Sequence, residues 1–264
     1  MKHFLTLFHQ TVEPYLHPDF CGTQNNSVFT SEDRENIQLK VDHTLRVLAE
    51  AEKLAEYAPD DHTGYLLKVA ALFHDIGRFT QYSKYKTFRD ADSVDHAREA
   101  IKVIRTKKLL ARLPLKDRAK VMIAIRTHNM KAVPPRLSVE QSYLCKGVRD
   151  CDKLDIYPVL IGNFKGTSHT SPVVCHGAKD EPEMFTQEIY TPILHGQLAD
   201  YSKIEWLNDF KLLLVSWVYD LNFAHTAREV QKRGYIETLF SLLPDTKPMH
   251  ELEKQVQQTL RDLS

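Results

Sequence analysis

The sequence has few cysteines and no long hydrophobic run. Its 264 residues include four cysteines without C-x-x-C spacing, too few for a disulfide framework in a chain of this length. The longest apolar runs, such as residues 212–215, fall far short of the roughly 20 residues needed to cross a bilayer. The N-terminus shows no signal-peptide hydrophobic region. We therefore expect reduced thiols and a cytoplasmic location.

An excess of charge of either sign is also absent. Lys plus Arg and Asp plus Glu both number 35, and the formal net charge is zero. No global positive field therefore draws the protein to nucleic acid or anionic lipid. We expect a small molecule as the partner, with no nucleic-acid polymer and no membrane, and the sequence leaves homo-oligomerisation open.

Helical periodicity runs through most of the sequence, and no alternating β segment is long enough to predict a strand. After the predicted cap at residues 30–33, apolar residues recur at spacings of three, four and seven, which predicts a helix to about Tyr57. The later patterns predict helices from residue 60 to His74 and Asp75 with Gly77 as the stop, from His96, from Pro114, and over about 138–156. Residues 80–91 are expected to form a polar linker. The predicted fold class is all-α.

We predict one all-helical domain over residues 1–264. Its core is expected at about 30–160, an irregular arm or lid at about 162–200, and C-terminal helices at about 205–262. A short helix is expected near 183–194, and two helices near 209–223 and 228–243. The arm contains four further candidate metal ligands, His169, Cys175, His176 and His195. No accepted zinc spacing fits these four residues.

The apolar stretch 70–79 ends in the adjacent pair His74 and Asp75. A carboxylate buried beside that run is too costly unless it is paired or bound to metal. The alternative is a histidine hydrogen-bonded to an aspartate inside a helical core. The surrounding pattern decides between the two, because further polar residues share inward helix faces.

These further inward-facing residues are His43, His96, His128 and Asp152. Shared metal coordination would satisfy them together with His74 and Asp75, and nitrogen and oxygen donors suit Mn, Fe, Co, Ni or Zn better than Mg alone. A satisfied core histidine is the alternative for His43. The acidic neighbours of Asp152 are Asp150 and Asp155. As the alternative, these two residues could face solvent or form salt bridges with Arg149 or Lys153.

This pattern resembles the HD-domain superfamily of metal-dependent phosphohydrolases. Residues 43–47, 72–79 and 149–155 match its H, HD and D positions, and residues 87–96 and 126–129 resemble the two extra histidines of its two-metal branch. The resemblance implies a first divalent transition metal ion, whose ligands are His43, His74, Asp75 and Asp152. It implies a second ion at His96 and His128, with Asp75 bridging the two.

The resemblance also implies hydrolysis of a small, nucleotide-like phosphate compound by a metal-activated hydroxide. Asp75 and Arg78 are the candidate catalytic residues. Arg78, Lys153 and Arg46 are candidates for binding phosphate, although Arg46 has a salt bridge to Asp42 or Glu50 as its alternative. Gln81 and Asn129 could orient water or a metal ligand, or could cap helices.

Two other functions stay open at this point. Similar six-ligand sites in the superfamily include mixed-valent di-iron oxygenases that cleave C–C or C–P bonds. A non-catalytic, metal-stabilised sensor or interaction domain is the third interpretation.

Overall fold

The computed structural model describes residues 1–22, 28–166 and 178–264. Most of these described residues are helical, and the ranges contain two isolated β-bridges and no strand, which confirms the all-α prediction. The chain divides into two compact units, Met1–Asp152 and Lys153–Ser264. The single-domain interpretation stays a prediction. None of the helices in the described ranges combines the length and the hydropathy that a membrane span requires.

The first unit holds six complete helices and the start of a seventh. They are α1 (Lys2–Leu16), α2 (Ser31–Leu54), α3 (Asp61–Phe73), α4 (Ile76–Tyr85), α5 (His96–Thr106), α6 (Leu115–Thr127) and α7 (Val139–Phe164), which continues into the second unit. Short 3-10 turns occur at Ala55–Tyr57 and Asp90–Asp92. The helices predicted from residues 30, 60, 96, 114 and 138 are confirmed.

Side-chain caps explain where three of these helices begin. Thr30 and Asp33 form a capping box at the start of α2. Asp60 accepts a hydrogen bond from the Thr63 amide at 2.7 Å before α3, and Asp95 accepts one from the Arg98 amide at 3.0 Å before α5. Each cap satisfies an amide that the helix itself leaves without an acceptor.

Helix α3 is the most buried helix of the first unit. Its apolar residues Leu67, Ala71, Leu72 and Phe73 have no exposed surface, and it packs against α1, α2 and α6. Apolar residues cover most of its surface from Leu66 to Phe73, as is typical of a helix that lies inside a core. The end of α3, where His74 follows, is therefore held among packed helices.

Gly77 does not end a helix as predicted. It lies in α4, and a Cβ there would sit 2.2 Å from the carbonyl oxygen of His96 and 2.4 Å from the amide nitrogen of Ala100. The absent side chain lets α4 approach the backbone of α5. The predicted linker 80–91 is also wrong in its first half, since α4 continues to Tyr85 and ends at Lys86 in a left-handed conformation.

In the part of the second unit that the structure describes, the rest of α7 is followed by five further helices. They are α8 (Gln187–Leu194), α9 (Leu207–Ser216), α10 (Ala224–Lys232), α11 (Tyr235–Phe240) and α12 (Lys247–Leu263). Their shared core includes Tyr157, Leu214 and Leu252. The short helix expected near 183–194 is confirmed as α8.

The second unit differs from the prediction in three places. The helix expected at 228–243 is interrupted by Gly234, whose φ of 64° is left-handed and separates α10 from α11. The helix expected at 209–223 ends at Ser216 and is followed by a 3-10 turn, Trp217–Asp220. A third closing helix, α12, is present, although two were predicted.

Candidate metal centre

Six elements of the first unit bring the six predicted ligands together. His43 lies in α2, His74 directly follows α3, Asp75 precedes α4, His96 opens α5, His128 follows α6 and Asp152 lies in α7. His43, His74, Asp75, His96 and His128 are buried. The potential ligand atoms of these five residues and of Asp152 form three overlapping groups. Within each group all atoms lie within 4.8 Å of one another.

The junction of α3 and α4 explains how His74 and Asp75 reach the same place. His74 keeps helical backbone angles, whereas Asp75 has φ −99° and ψ 12°, in the region between helix and strand where many active-site residues lie. The change of direction at Asp75 ends α3 and starts α4. Two adjacent side chains, which a continuous helix would direct about 100° apart, can therefore face one centre.

Asp75 lies at the middle of the cluster. Its Oδ2 atom is 3.5 Å from His43 Nε2 and 3.9 Å from His74 Nε2. Its Oδ1 atom is 3.4 Å from His96 Nε2 and 3.7 Å from His128 Nε2. The two oxygens of one carboxylate thus face two separate pairs of imidazoles, which is the arrangement that a bridging ligand needs.

Asp152 completes the first pair. Its Oδ1 atom lies 3.2 Å from His43 Nε2 and 3.7 Å from His74 Nε2. Burial alone would raise the pKa of Asp152, but the neighbouring His43 and His74 hold this pKa well below its usual range. The carboxylate is therefore ionised and available as a ligand.

The imidazole protons point away from the centre. His74 Nδ1 and His128 Nδ1 each donate to the carbonyl oxygen three residues earlier, Ala71 and Ile125, at 2.7 Å. A carbonyl can only accept, so a neutral ring held this way presents an Nε2 lone pair to the centre. Second hydrogen bonds of this kind are what orients histidines that bind metal.

One atom of the cluster, His74 Nε2, is buried and has no hydrogen-bond partner among the described residues. Leaving such a group unsatisfied costs about 1–3 kcal/mol. In addition, His96 Nε2 and His128 Nε2 lie 2.9 Å apart. Donors placed about 2.1 Å from one ion are separated by about 3 to 4 Å, so the spacing of these atoms fits metal coordination.

Two cationic side chains lie beside Asp75 and favour its ionised, negatively charged form. Lys40 Nζ is 3.1 Å from Asp75 Oδ2, and Arg78 Nε is 3.4 Å from Asp75 Oδ1. Burial alone would raise the pKa of Asp75, but Lys40, His74 and Arg78 hold it well below its usual range. The sequence analysis missed Lys40, although its position three residues before His43 places both on one face of α2.

Arg78 is tied to several acceptors. Its Nη1 atom donates to Gln81 Oε1 at 2.9 Å, to Asp90 Oδ1 at 2.9 Å and to the carbonyl oxygen of Phe88. Gln81 is fully buried, and its amide donates to Asp90 Oδ1 at 2.9 Å. The structure therefore places both residues beside the cluster, where they support the segment that follows α4.

The remaining predicted substrate residues lie in different settings. Asn129 donates to Asp90 and Asp95 at 3.3 and 3.2 Å, so it lies next to the His96 side of the cluster. Arg46 is exposed on α2. Lys153 belongs to the second unit, where its ammonium group lies 2.6 Å from Asp220 Oδ2. Their role in binding substrate stays a prediction.

Other sequence alternatives can also be placed. Asp150 and Asp155 are buried, so their solvent-facing interpretation is wrong. His195 follows α8 and belongs to none of the potential metal-binding groups found among the described residues. His169, Cys175 and His176 lie outside the described residues.

Comparison with known proteins agrees with this geometry. The family model described as HD domain matches residues 41–157, a range that contains all six clustered residues. The comparisons with curated proteins and with solved structures returned no match. The predicted resemblance is confirmed for this part of the chain, and an HD domain is typical of metal-dependent enzymes of hydrolase type.

Proposed function

Starting from the HD domain matched at residues 41–157, we propose that this chain is a metal-dependent phosphohydrolase. Its substrate is a small phosphorylated molecule of nucleotide-like type. The observation that carries the proposal is the position of Asp75, whose two oxygens face His43 with His74 and His96 with His128, respectively. Such a carboxylate suits a site for two ions.

The six clustered residues supply the ligands. His43, His74 and Asp152 would hold one divalent transition metal ion, His96 and His128 a second, and Asp75 would contact both. When bound, such ions lower the pKa of water towards neutrality and offset the negative charge of phosphate oxygens.

The chain itself provides cations for the substrate. Negative charge spreads over the oxygens of a phosphoryl group during transfer, so positive side chains near the reacting atoms are needed. Lys40 reaches Asp75 and keeps 16% of its side chain exposed, whereas Arg78 Nη1 is occupied by three acceptors. We assign Lys40 as the first phosphate-binding cation, with Arg78 holding the site around it.

An aromatic surface lies next to Lys40. The centre of the Phe88 ring is 5.5 Å from Lys40 Nζ, and Phe88 packs on Tyr82 with 4.7 Å between ring centres. Nucleobases stack on aromatic rings. This neighbour of a phosphate-binding cation favours a substrate with a flat apolar part, in agreement with a nucleotide-like molecule.

The proposal keeps the expectations drawn from the neutral composition. We propose no nucleic-acid polymer and no membrane as partner, and a cytoplasmic site of action.

A metal and phosphate-release screen tests the proposal. The purified chain is analysed for metal and then assayed on mono-, di- and cyclic nucleotides with Mn²⁺, Fe²⁺, Co²⁺, Ni²⁺ or Zn²⁺, beside the Asp75→Asn variant. Metal-dependent hydrolysis that continues without dioxygen and is lost in the variant is expected, seen as phosphate release or, for a cyclic nucleotide, as formation of the nucleoside monophosphate. Turnover that requires dioxygen would overturn the proposal in favour of an oxygenase, and bound metal without any turnover would favour a sensor.

A further inference from the structure

Asp90 lies next to the six clustered ligands and collects hydrogen bonds from four side chains. Its carboxylate accepts from His96 Nδ1 at 2.7 Å, Arg78 Nη1 at 2.9 Å, Gln81 Nε2 at 2.9 Å and Asn129 Nδ2 at 3.3 Å. Neither the predicted ligand set nor the predicted substrate residues include it. Four donors on one carboxylate fix both its position and its charge.

His96 needs such a partner because of its place in its helix. His74 and His128 follow the last residues of α3 and α6, so the carbonyl three residues earlier can accept their Nδ1 protons. His96 is the first residue of α5, and no helical carbonyl precedes it in that position. Asp90, six residues earlier in a 3-10 turn, takes over this role from outside the helix.

Gln81 fixes this turn independently of His96. Its amide also donates to Ser93 Oγ at 2.8 Å and to the Val94 carbonyl oxygen at 3.0 Å, and its own oxygen accepts from Arg78. The segment between α4 and α5 is thus bound to a fully buried side chain of α4. The position of Asp90 is therefore held by contacts other than the one with His96.

We infer that Asp90 is the positioning residue of the second metal site. It holds the proton of His96 on Nδ1 and directs Nε2 towards Asp75 Oδ1, 3.4 Å away. A carboxylate that accepts the Nδ1 proton also makes the imidazole a stronger electron-pair donor towards a metal ion than a carbonyl acceptor does. The inference rests on the two-ion site of the proposed function, and it concerns the ion at His96 and His128 alone.

Metal titration of three variants tests this role. Asp90→Asn and Asp90→Ala are compared with Asp92→Asn, a matched control in the same turn whose side chain is 54% exposed and pairs with Arg89. Mn²⁺ is titrated into each metal-free chain by calorimetry. The wild type and the control should bind two ions, whereas both Asp90 variants should keep one ion and bind the other about 10- to 100-fold more weakly.

Three results would overturn the inference: unchanged binding of both ions by the Asp90 variants, equal weakening of both ions, or a wild-type chain that binds a single ion. Asp90→Asn keeps the shape of the side chain, so it decides the matter if Asp90→Ala fails to fold. Thermal unfolding separates the inferred role from mere structural support. Structural support alone would lower Tm equally with and without Mn²⁺, whereas the inferred role reduces the rise in Tm that Mn²⁺ causes.

Nitrogen NMR of histidine gives a second signature. In the metal-free, ¹⁵N-histidine-labelled chain, His96 should carry its proton on Nδ1 in the wild type and in Asp92→Asn, and should lose this uniform state in Asp90→Ala, whose side chain offers no acceptor to Nδ1. The outcome is separate from that of the proposed function. A chain that binds two ions and releases no phosphate would refute the phosphohydrolase and leave the role of Asp90 intact.

Discussion

The Nε2 atoms of His96 and His128 face each other at 2.9 Å. The other nitrogen of each ring lies against an acceptor, Asp90 or the Ile125 carbonyl, so two neutral rings would direct lone pairs at one another. Both side chains are almost fully buried, and solvent does little to weaken the repulsion. The two rings would hold a cation through these nitrogens, and its charge would offset the repulsion, so stability and metal binding should be linked.

Removal of metal should therefore destabilise the protein. A ligand present at about 100 times its Kd contributes about 2.7 kcal/mol to the free energy of unfolding, and we expect chelation to lower Tm by several degrees. His128→Ala should reduce this metal-dependent change. His62→Ala is the control, since His62 pairs with Asp117 near the surface with a half-exposed side chain. A metal-independent Tm in the wild type would contradict the prediction.

Asp75 should be indispensable for metal binding. Asp75→Asn removes the negative charge that faces all four imidazoles, and it leaves Lys40 and Arg78 beside a neutral amide. Metal content and phosphate release should both fall to background. The control is Asp42→Asn in α2, where Asp42 is exposed and accepts a hydrogen bond from Gln38 at 2.7 Å. Full metal content in Asp75→Asn would rule out the bridging role.

The same centre can be removed as a pair. His74→Ala combined with Asp75→Ala should eliminate bound metal and activity. Circular dichroism should still show a largely helical protein, because the apolar residues of α3 form its core contacts without either side chain. A variant of this kind that keeps full activity would place the active site elsewhere.

The six clustered residues could be predicted from the sequence because each belongs to a helical pattern. His43 and Asp152 follow apolar periodicity inside α2 and α7, and His128 continues the inward face of α6. The role of Asp90 could not be predicted in this way, because its segment shows no helical periodicity. Its contact with His96 depends on the path of the chain between α4 and α5. Lys40 had a usable signal in its spacing from His43, but spacing alone does not show which carboxylate it reaches.

Gly77 and Arg78 show the limit of local pattern. A glycine after an apolar helix fits a helix stop as well as a close approach between helices, and only the position of α5 decides between them. Arg78 was predicted to bind phosphate from its place one turn after His74. Its contacts with Gln81, Asp90 and the Phe88 carbonyl depend on the tertiary fold, which the sequence pattern does not contain.

Gly77→Ala should destabilise the protein and disturb the second metal site. The added methyl group meets backbone atoms of His96 and Ala100, which cannot move aside separately from α5. We expect a loss of about 1–3 kcal/mol or more in the free energy of unfolding, measured by denaturant titration. Gly147→Ala is the control, since its nearest contact is the tip of the Leu67 side chain and should cost less. Equal losses would contradict the close-approach explanation.

Lys40→Ala should weaken substrate binding more than it weakens metal binding. Loss of one charge-assisted hydrogen bond to a phosphate costs about 1.5–3 kcal/mol, which corresponds to about a 10- to 100-fold fall in kcat/KM. Lys40→Arg keeps the charge and should recover part of this loss.

The control for Lys40 is Lys53→Ala, because Lys53 lies on the same helix, is half-exposed and pairs with Glu50 at 3.2 Å. It should leave kcat/KM unchanged. Lys40 also lies 3.1 Å from Asp75 Oδ2, so an ion bound at that oxygen would displace its ammonium group from the carboxylate and free it for phosphate. If Lys40→Ala instead binds metal more tightly and hydrolyses substrate at the wild-type rate, Lys40 acts only as a counter-ion of the empty site, and its assignment to phosphate is refuted.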